Sequence, residues 1–310
     1  MSKKIALIDK IRSFYSEGPS FDIYVQNFLN KNCNVFQLDP QSIDFKTKKA
    51  LSYPLFKFNG NITRSEIAYS LNLENYDAIL DMSDIVNLDF AKNLQQINTF
   101  HFNLPIPTYN SANKKTYVKN YPEYIPETRI TSNVSKLEDL LKNKFKGKMI
   151  VKDPSGAHGD GVFRITSRDN YNEEFKKITQ NEKIEVIAQK FLHYCFEGGK
   201  RVILLGNPGE RNSFEFVISY RKVPGKGQWK DNLALGGKAI LTNLREDEKE
   251  LCLEVAAKSG LYGIGIDIMD DKSKSGKRIS RLIETNAIIA TRAYPEAISK
   301  TVDFIMEKIK

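Results

Sequence analysis

Two apolar runs near the end of the chain, "YGIGIDIMD" (262–270) and "SRLIETNA" (280–287), each carry an acid where an exposed side chain fits poorly. With the polar turn "DKSKSGK" between them they read as the two strands of a hairpin. Asp267 lies inside the first strand. Glu284 and Asn286 lie two apart on the second, so the period of a strand puts both on one face. A charge kept inside such a strand needs a partner. Asp, Glu and Asn oxygens converging across adjacent strands form a hard site suited to Mg²⁺. This part of the chain is thereby committed to a β-rich unit with a charged site on one face.

A second stretch carries chemistry of another kind. In "MIVKDPSGAHGDGVF" (149–163) an apolar run ends at Lys152, and Gly156, Gly159 and Gly161 precede another apolar run. The P-loop places its lysine after the glycines and before a helix, so the order here excludes it. "GIGIDI" (263–268) lacks the third glycine of a dinucleotide fingerprint and continues as strand. A glycine loop between two strands can still turn backbone N–H groups towards a polyphosphate, with the lysine beside it as a point charge. From this stretch alone an ordinary turn is the alternative.

The first hundred residues alternate between the two periodicities. Residues 4–9, 34–39 and 76–82 read as strands, and 21–31, apolar at Phe21, Val25, Phe28 and Leu29, as a helix. Such units build a parallel sheet. Residues 40–75 are an excursion at one edge, and the proline-marked "LPIPTYNS" (104–111) marks a domain boundary. Helices are expected over 111–120, 135–144 and 170–180, and strands over 128–131 and 184–192. From Lys200 "KRVILLG", "SFEFVISYRKV" and "LGGKAILT" are strands. Residues 243–260 form the clearest helix, with Asn243 as its cap, Glu246, Asp247 and Glu248 at its positive end and Gly260 at its exit. A final helix covers 295–309.

The chain is 41% hydrophobic and 27% charged, as a soluble globular protein is. Its net charge of +9 admits nucleic acid or an anionic small substrate as partner. The lysines are spread along the chain with no recognition motif beside them, so nucleic acid is not expected. No apolar stretch approaches the ~20 residues of a membrane span, and the apolar run near the N-terminus is too short for a signal peptide. Three scattered cysteines without a CxxC pair argue against disulfides and zinc. A cytoplasmic protein is the expectation.

Taken in order, "NSANKKTY", "IPETRIT", "IVKDPSGAHGDGVFRI", "IAQKFL", "GGKRVILL", "DNLALGGKA", "GIGIDIM" and "LIETNA" resemble the ATP-grasp superfamily, and within it the bacterial glutathione synthetase family. The resemblance runs from about Asn110 to Ile298. It implies an N-terminal parallel-sheet α/β (pre-ATP-grasp) domain over 1–108, followed by an ATP-grasp fold of two α+β subdomains. These are a central lid subdomain over 109–188 and a catalytic subdomain over 189–310.

The resemblance also implies roles. Lys115 and Lys152 match the family's two nucleotide-phosphate lysines, and the segment from Gly156 to Gly161, with His158 and Gly159, its glycine lid. Gln189, Lys190, Phe191 and Leu192 match the hinge whose backbone reads adenine. Asp267, Glu284 and Asn286 match metal ligands shared by two Mg²⁺ ions, with Mn²⁺ as an alternative. Arg201 matches a substrate-binding arginine with a part in catalysis. Lys230 and Lys238 stand where the family has catalytic arginines around a loop that here contains Asn232. Several positions depart from the pattern. His158 replaces a glycine. Gly199 stands where a ribose-binding acid is expected, a role open to Glu197. Lysine at 230 and 238 loses the bidentate recognition of arginine. After Asn286 the family's small hydroxyl residues give way to "AIIATR", with only Thr291 as an equivalent, and Ile288 and Ile289 cannot bond a carboxylate. Either they are extra core or the acceptor is not glycine.

The expected activity is ATP-dependent joining of a carboxylate to an amine through an acyl phosphate, with γ-glutamylcysteine and glycine giving glutathione. A related ligase with another amino-acid or peptide acceptor, and a catalytically silent binder, are the alternatives. Partners are small-molecule carboxylates and amines, with neither membrane nor nucleic acid, and family analogy suggests a homo-oligomer.

Overall fold

The structure, a computed structural model, describes residues 2–9, 20–83, 87–154, 161–231, 236–289 and 293–310. Gly156, His158, Gly159, Asn232 and Thr291 lie outside the described residues.

The N-terminal strands β1 (Lys4–Ile8), β2 (Asn34–Leu38), β6 (Ala78–Asp81) and β7 (Phe100–His101) are parallel. β1 is buried throughout except at its first residue, as a central parallel strand should be. Between β1 and β2 runs α1 (Phe21–Asn30), which buries Tyr24, Val25 and Phe28. The excursion is three antiparallel strands, β3 (Lys49–Phe58), β4 (Asn61–Arg64) and β5 (Tyr69–Asn72), which extend the sheet beyond β2 in the order β4-β3-β2-β1-β6-β7, with β5 also on β3. After β6 comes α2 (Leu88–Gln95).

The proline-marked segment expected as a connection is instead a helix, α3 (Pro105–Ala112). Pro105 stands in the first turn, where its missing N–H has no partner to lose. α4 (Lys114–Asn120) follows, capped by Asn113 Oδ1, which accepts from Lys115 N at 3.0 Å. A four-stranded antiparallel sheet comes next, β10-β9-β11-β8, from β8 (Thr128–Thr131), β9 (Lys148–Lys152), β10 (Val162–Thr166) and β11 (Val186–Lys190). α5 (Val134–Asp139) and α6 (Tyr171–Ile178) cover one face of it. The helix expected over 135–144 leaves α geometry at Leu140, where a π turn runs to Lys144.

The third sheet is antiparallel, β14-β13-β12-β15-β16, from β12 (Lys200–Leu205), β13 (Glu215–Val223), β14 (Lys238–Leu241), β15 (Gly263–Lys272) and β16 (Arg278–Asn286). One face carries Val202, Leu204, Ile264, Ile266 and Leu282 into a core with α7 (Glu246–Ser259). Ile203 and Leu205 turn the other way, onto α8 (Pro295–Lys308), α1 and β1. α8 therefore ties the end of the chain to its beginning, and Lys31 pairs with Asp303 across the same contact.

The cap of α7 differs from expectation. Arg245, not Asn243, holds that position, and its N–H donates to the Glu248 carboxylate at 2.8 Å. Gly260 closes the helix at φ 73°, a left-handed exit suited to glycine. At the opposite, N-terminal end of α7, buried Asp270 accepts from Arg245 Nη2 at 2.9 Å, Ser280 Oγ at 2.8 Å and Arg278 Nε at 2.6 Å. Burial alone would raise this carboxyl, but the bonds from Arg245, Ser280 and Arg278 bring it down to about 2. A depressed folded value stabilises above the unfolded value and is lost as pH falls. Asp270→Asn is thus expected to cost roughly 2 kcal/mol near pH 7, a deficit that shrinks by about half between pH 5 and pH 3, read by urea unfolding.

Candidate active site

The register of the third sheet lines up Tyr220 on β13, Arg201 on β12, Asp267 on β15 and Glu284 on β16 as successive cross-strand partners. Directly opposed residues share a face, with Cβ atoms about 5 Å apart. Asp267 and Glu284 are like charges in direct opposition, which is unfavourable unless cations intervene. Arg201 does so as a fork, Nε to Oδ1 at 2.8 Å and Nη2 to Oδ2 at 2.7 Å. Lys222, two residues beyond Tyr220, places Nζ 3.2 Å from Asp267 Oδ2 and 3.6 Å from Asp231 Oδ1. Asp267 is 4% exposed. Burial would raise its carboxyl, yet Arg201 and Lys222 hold it well below the usual carboxylate range. Burial would lower Lys222, and Asp267 and Asp231 raise it instead.

Two further cations come from outside this sheet. Lys152 is buried at the end of β9, where desolvation lowers its ammonium to about 8 against the opposing pull of Glu284 and Asp267. Lys114, at the start of α4, is also buried and lowered, first by desolvation, and it feels Glu284, Lys152 and Asp153. Lys115, the residue that the resemblance selects, points elsewhere, donating to Glu185 Oε2 at 2.7 Å with 42% of its side chain exposed. It is Lys114 that faces Lys152. Consecutive helical residues diverge by about 100°, so only one of the two can turn inward.

Arg201, Lys222, Lys152 and Lys114 therefore meet Asp267, Glu284, Asp231 and Asp153, a cluster close to electrical balance. A triphosphate entering it must bring counter-ions, which is what divalent metal supplies. The residues fit such an ion. Asn286 lies beside Glu284 on the same face of β16, and its Nδ2 is buried without a partner. A half-turn of that amide offers Oδ1 at the same place. No group of three His, Cys, Asp or Glu side chains suited to a metal occurs among the described residues. Two carboxylates and an amide oxygen are a hard donor set, appropriate to Mg²⁺. Asp267, Glu284 and Asn286 would hold the ion, with Asp267 shared with Arg201 and Lys222.

The nucleotide-side residues are placed as follows. Gln189 is buried and donates through Nε2 to Thr128 Oγ1 at 2.9 Å and Tyr117 Oη at 3.2 Å, so its side chain joins β11 to β8 and α4. Lys190 donates through Nζ to Asp271 at 2.7 Å, and its backbone N–H to Glu127 O at 2.9 Å. Phe191 packs on Phe196, and Leu192 is buried. Glu197 accepts from Arg278 Nη2 at 2.7 Å, so a ribose would share it with that arginine. Gly199 has a steric reason. Its N–H donates to Asp231 Oδ2 at 2.8 Å, and a Cβ there would lie 2.8 Å from that oxygen and 2.9 Å from Ile268 O. Gly161, at φ 71°, accepts through its carbonyl from Asp153 N at 2.8 Å.

The described contacts do not bring Lys230 and Lys238 to the Asp267 cluster. Lys230 stacks on Trp229 at 5.7 Å, and Lys238 is exposed at the start of β14. The cation that β13 does supply is Lys222, which sequence reasoning passed over. Its signal was the alternation in "SYRKV", legible only once Tyr220 is known to oppose Arg201. All three cysteines are free and buried, and burial pushes the Cys252 thiol up, so no thiolate serves the site. His101 is buried against Ile97 O at 3.2 Å, and His193 lies edge-on to Tyr194.

Two antiparallel sheets with a buried lysine of one facing the acids of the other, behind a parallel-sheet unit, define an ATP-grasp fold. Solved structures agree. D-alanyl-alanine synthetase A from Vibrio cholerae matches with a TM-score of 0.63 at 12% identity, covering 99% of this chain and 97% of that one. A RiPP-associated ATP-grasp ligase from Chryseobacterium gregarium matches equally well, at 15% identity. Residues 114–275 match the family model for the ATP-grasp domain of prokaryotic glutathione synthetase, and the chain belongs to that family. The glutathione synthetase of Gloeobacter violaceus is 29% identical over 175 residues, 55% of this chain and 51% of that protein. That of Buchnera aphidicola is 25% identical over 282 residues, 86% and 84% of the two chains. The chain thus spans about half the length of several curated relatives it matches. No described helix is long and apolar enough to cross a membrane.

Proposed function

We propose that this protein is an ATP-dependent carboxylate–amine ligase working through an acyl phosphate. One observation carries the reading: Lys152 and Lys114 converge on the Asp267–Glu284 pair within the part of the chain that the family model covers. In the first step a donor carboxylate oxygen attacks the γ-phosphorus of ATP, giving acyl phosphate and ADP. In the second an amine attacks the acyl carbon and phosphate leaves. No protein nucleophile is needed, only positioning and charge balance. In this reading Lys152 and Lys114 bind the phosphates, and Arg201, which forks onto Asp267, also takes the donor carboxylate. Mg²⁺ at Asp267, Glu284 and Asn286 would supply neutralisation of the developing phosphoryl charge.

The relatives' names make γ-glutamylcysteine plus glycine the first reaction to test. Ile289 is 2% exposed in the core with β1, β12 and α8, and Ile288 after Asn286 favours the second reading, a ligase with another acceptor. ADP release from purified protein, measured against a panel of carboxylates with glycine or other amines, tests both. Turnover of γ-glutamylcysteine with glycine supports glutathione synthesis. Turnover with another amine only moves the assignment to the second reading. No ADP with any pair, despite ATP binding, leaves a silent binder and defeats the proposal.

A further inference from the structure

Asp231 balances Lys222, and the place it occupies points to a second role. Gly199, just before β12, and Arg201 lie two apart, so position 199 looks onto the same face of the sheet as the Arg201–Asp267 pair. The ladder continues there, with Lys222 N donating to Gly199 O at 2.8 Å. Position 199 has no side chain of its own, and a carboxylate from the β13–β14 connection fills the space. Asp231 Oδ2 accepts from Gly199 N at 2.8 Å and lies 2.8 Å from where a Cβ would stand.

The surroundings put this carboxylate beside the path of a nucleotide. Past Arg201 in one direction the face is closed, because Ile203 and Leu205 pack on α8, α1 and β1. In the other direction lies Gly199, with the Asp231 side chain 19% exposed. Two residues along a strand span ~6.5 Å, of the order of the step from a metal-bound phosphate to the sugar of the same nucleotide. The lid sheet stands opposite, with Lys148, Ile150 and Lys152 on one face of β9 and Arg164 opposing Ile150. The Cys195 thiol, raised first by burial, is lowered by Arg164 and Lys148 and raised by Asp231, so this acid and the lid cations border the same space.

A carboxylate accepts hydrogen bonds and repels phosphate. The phosphates of a nucleotide only accept, whereas its ribose presents two adjacent hydroxyl donors. Asp231 Oδ2 holds Gly199 N and Oδ1 lies 3.6 Å from Lys222 Nζ, which leaves lone pairs on both oxygens for such donors. Glu197 turns the other way. It pairs with Arg278 at 2.7 Å and Arg221 at 3.7 Å, and Arg221 directly opposes Lys200, whose ammonium bonds Glu248 of α7.

Resting on the ligase reading above, we propose that Asp231 is the ribose-binding residue of the nucleotide site, a carboxylate supplied by the β13–β14 connection in place of a side chain on β12. It selects a ribonucleotide with both sugar hydroxyls. Lys222, 3.6 Å from Asp231 and 3.2 Å from Asp267, ties the sugar end of the site to its metal end.

Isothermal titration calorimetry on the full chain with Mg²⁺ compares ADP with 2′-deoxy-ADP and 3′-deoxy-ADP. Loss of either hydroxyl is expected to weaken binding about tenfold in the parent, as removing a hydrogen bond to a charged group does. In Asp231→Ala the three ligands should bind within about twofold of one another. Asp231→Asn keeps an oxygen for Gly199 N without the charge and should leave a difference of about threefold. Glu197→Gln should keep the full difference, and every variant is checked for an unchanged melting transition. A parent that does not distinguish the sugars, Asp231 variants that distinguish them as the parent does, or a Glu197→Gln chain that no longer does would overturn the proposal. ADP bound without sugar preference defeats the role of Asp231 and spares the ligase. No binding of ADP by the parent defeats both.

Discussion

Replacing Glu284 by glutamine is expected to lower ADP release by about 10³-fold while leaving unfolding free energy within ~1 kcal/mol of the parent. The charge removed stands opposite Asp267 and faces Lys114 and Lys152 across the gap between the two ATP-grasp sheets. Metal-borne stabilisation of phosphoryl transfer is worth several kcal/mol, and ~4 kcal/mol is about 10³ in rate. Folding should survive, because the change also relieves a like-charge contact on the sheet. Asp267→Asn is the less discriminating variant. Asp267 balances both Arg201 and Lys222 in a buried setting, and unpairing such cations costs ~3–5 kcal/mol. Steady-state ADP release and urea denaturation on Glu284→Gln separate the two effects. Near-normal turnover would remove Glu284 from the chemistry.

The second large effect concerns stability alone. Glu248 is 1% exposed and receives Lys200 Nζ at 2.7 and 2.6 Å and the Arg245 N–H at 2.8 Å. It therefore caps α7 and neutralises a buried lysine of β12 with one carboxylate. Glu248→Gln is expected to cost ~3–5 kcal/mol, since it leaves the Lys200 ammonium buried without its counter-charge. Lys200→Met in the same chain should recover part of that loss by removing the stranded charge. Equilibrium unfolding of the two single variants and the double variant gives the coupling. Simple additivity of the two losses would show that the pair does not act as a unit.

What the sequence made legible follows the periodicities. The strands of the third sheet, the helices α1, α7 and α8 and the hairpin holding Asp267 and Glu284 repeat with periods of two or 3.6, and burial enforces those periods. The helix at 105–112 is not legible because prolines ordinarily break helices, whereas Pro105 occupies the first turn, which tolerates it. Lys222 and Asp231 escaped notice for a different reason. The role of Lys222 comes from the register that brings β13, β12 and β15 side by side, and that of Asp231 from a loop folded back onto it, neither of which a local pattern encodes. The choice between Lys114 and Lys115 depends on the rotation of α4 against β9 and β16, which motif position does not encode. Gly199 looked like a lost ribose acid, and Asp231 Oδ2 occupies the space that any side chain there would need.

The central claim, ligation through an acyl phosphate, is tested most directly by isotope transfer. Carboxylates that support ADP release are labelled with ¹⁸O and turned over with ATP, Mg²⁺ and an amine, and the phosphate released is analysed by mass spectrometry. Capture of the γ-phosphoryl group by the carboxylate predicts one ¹⁸O atom in each phosphate formed. ADP and unlabelled phosphate, with both ¹⁸O atoms retained in the donor, would contradict it.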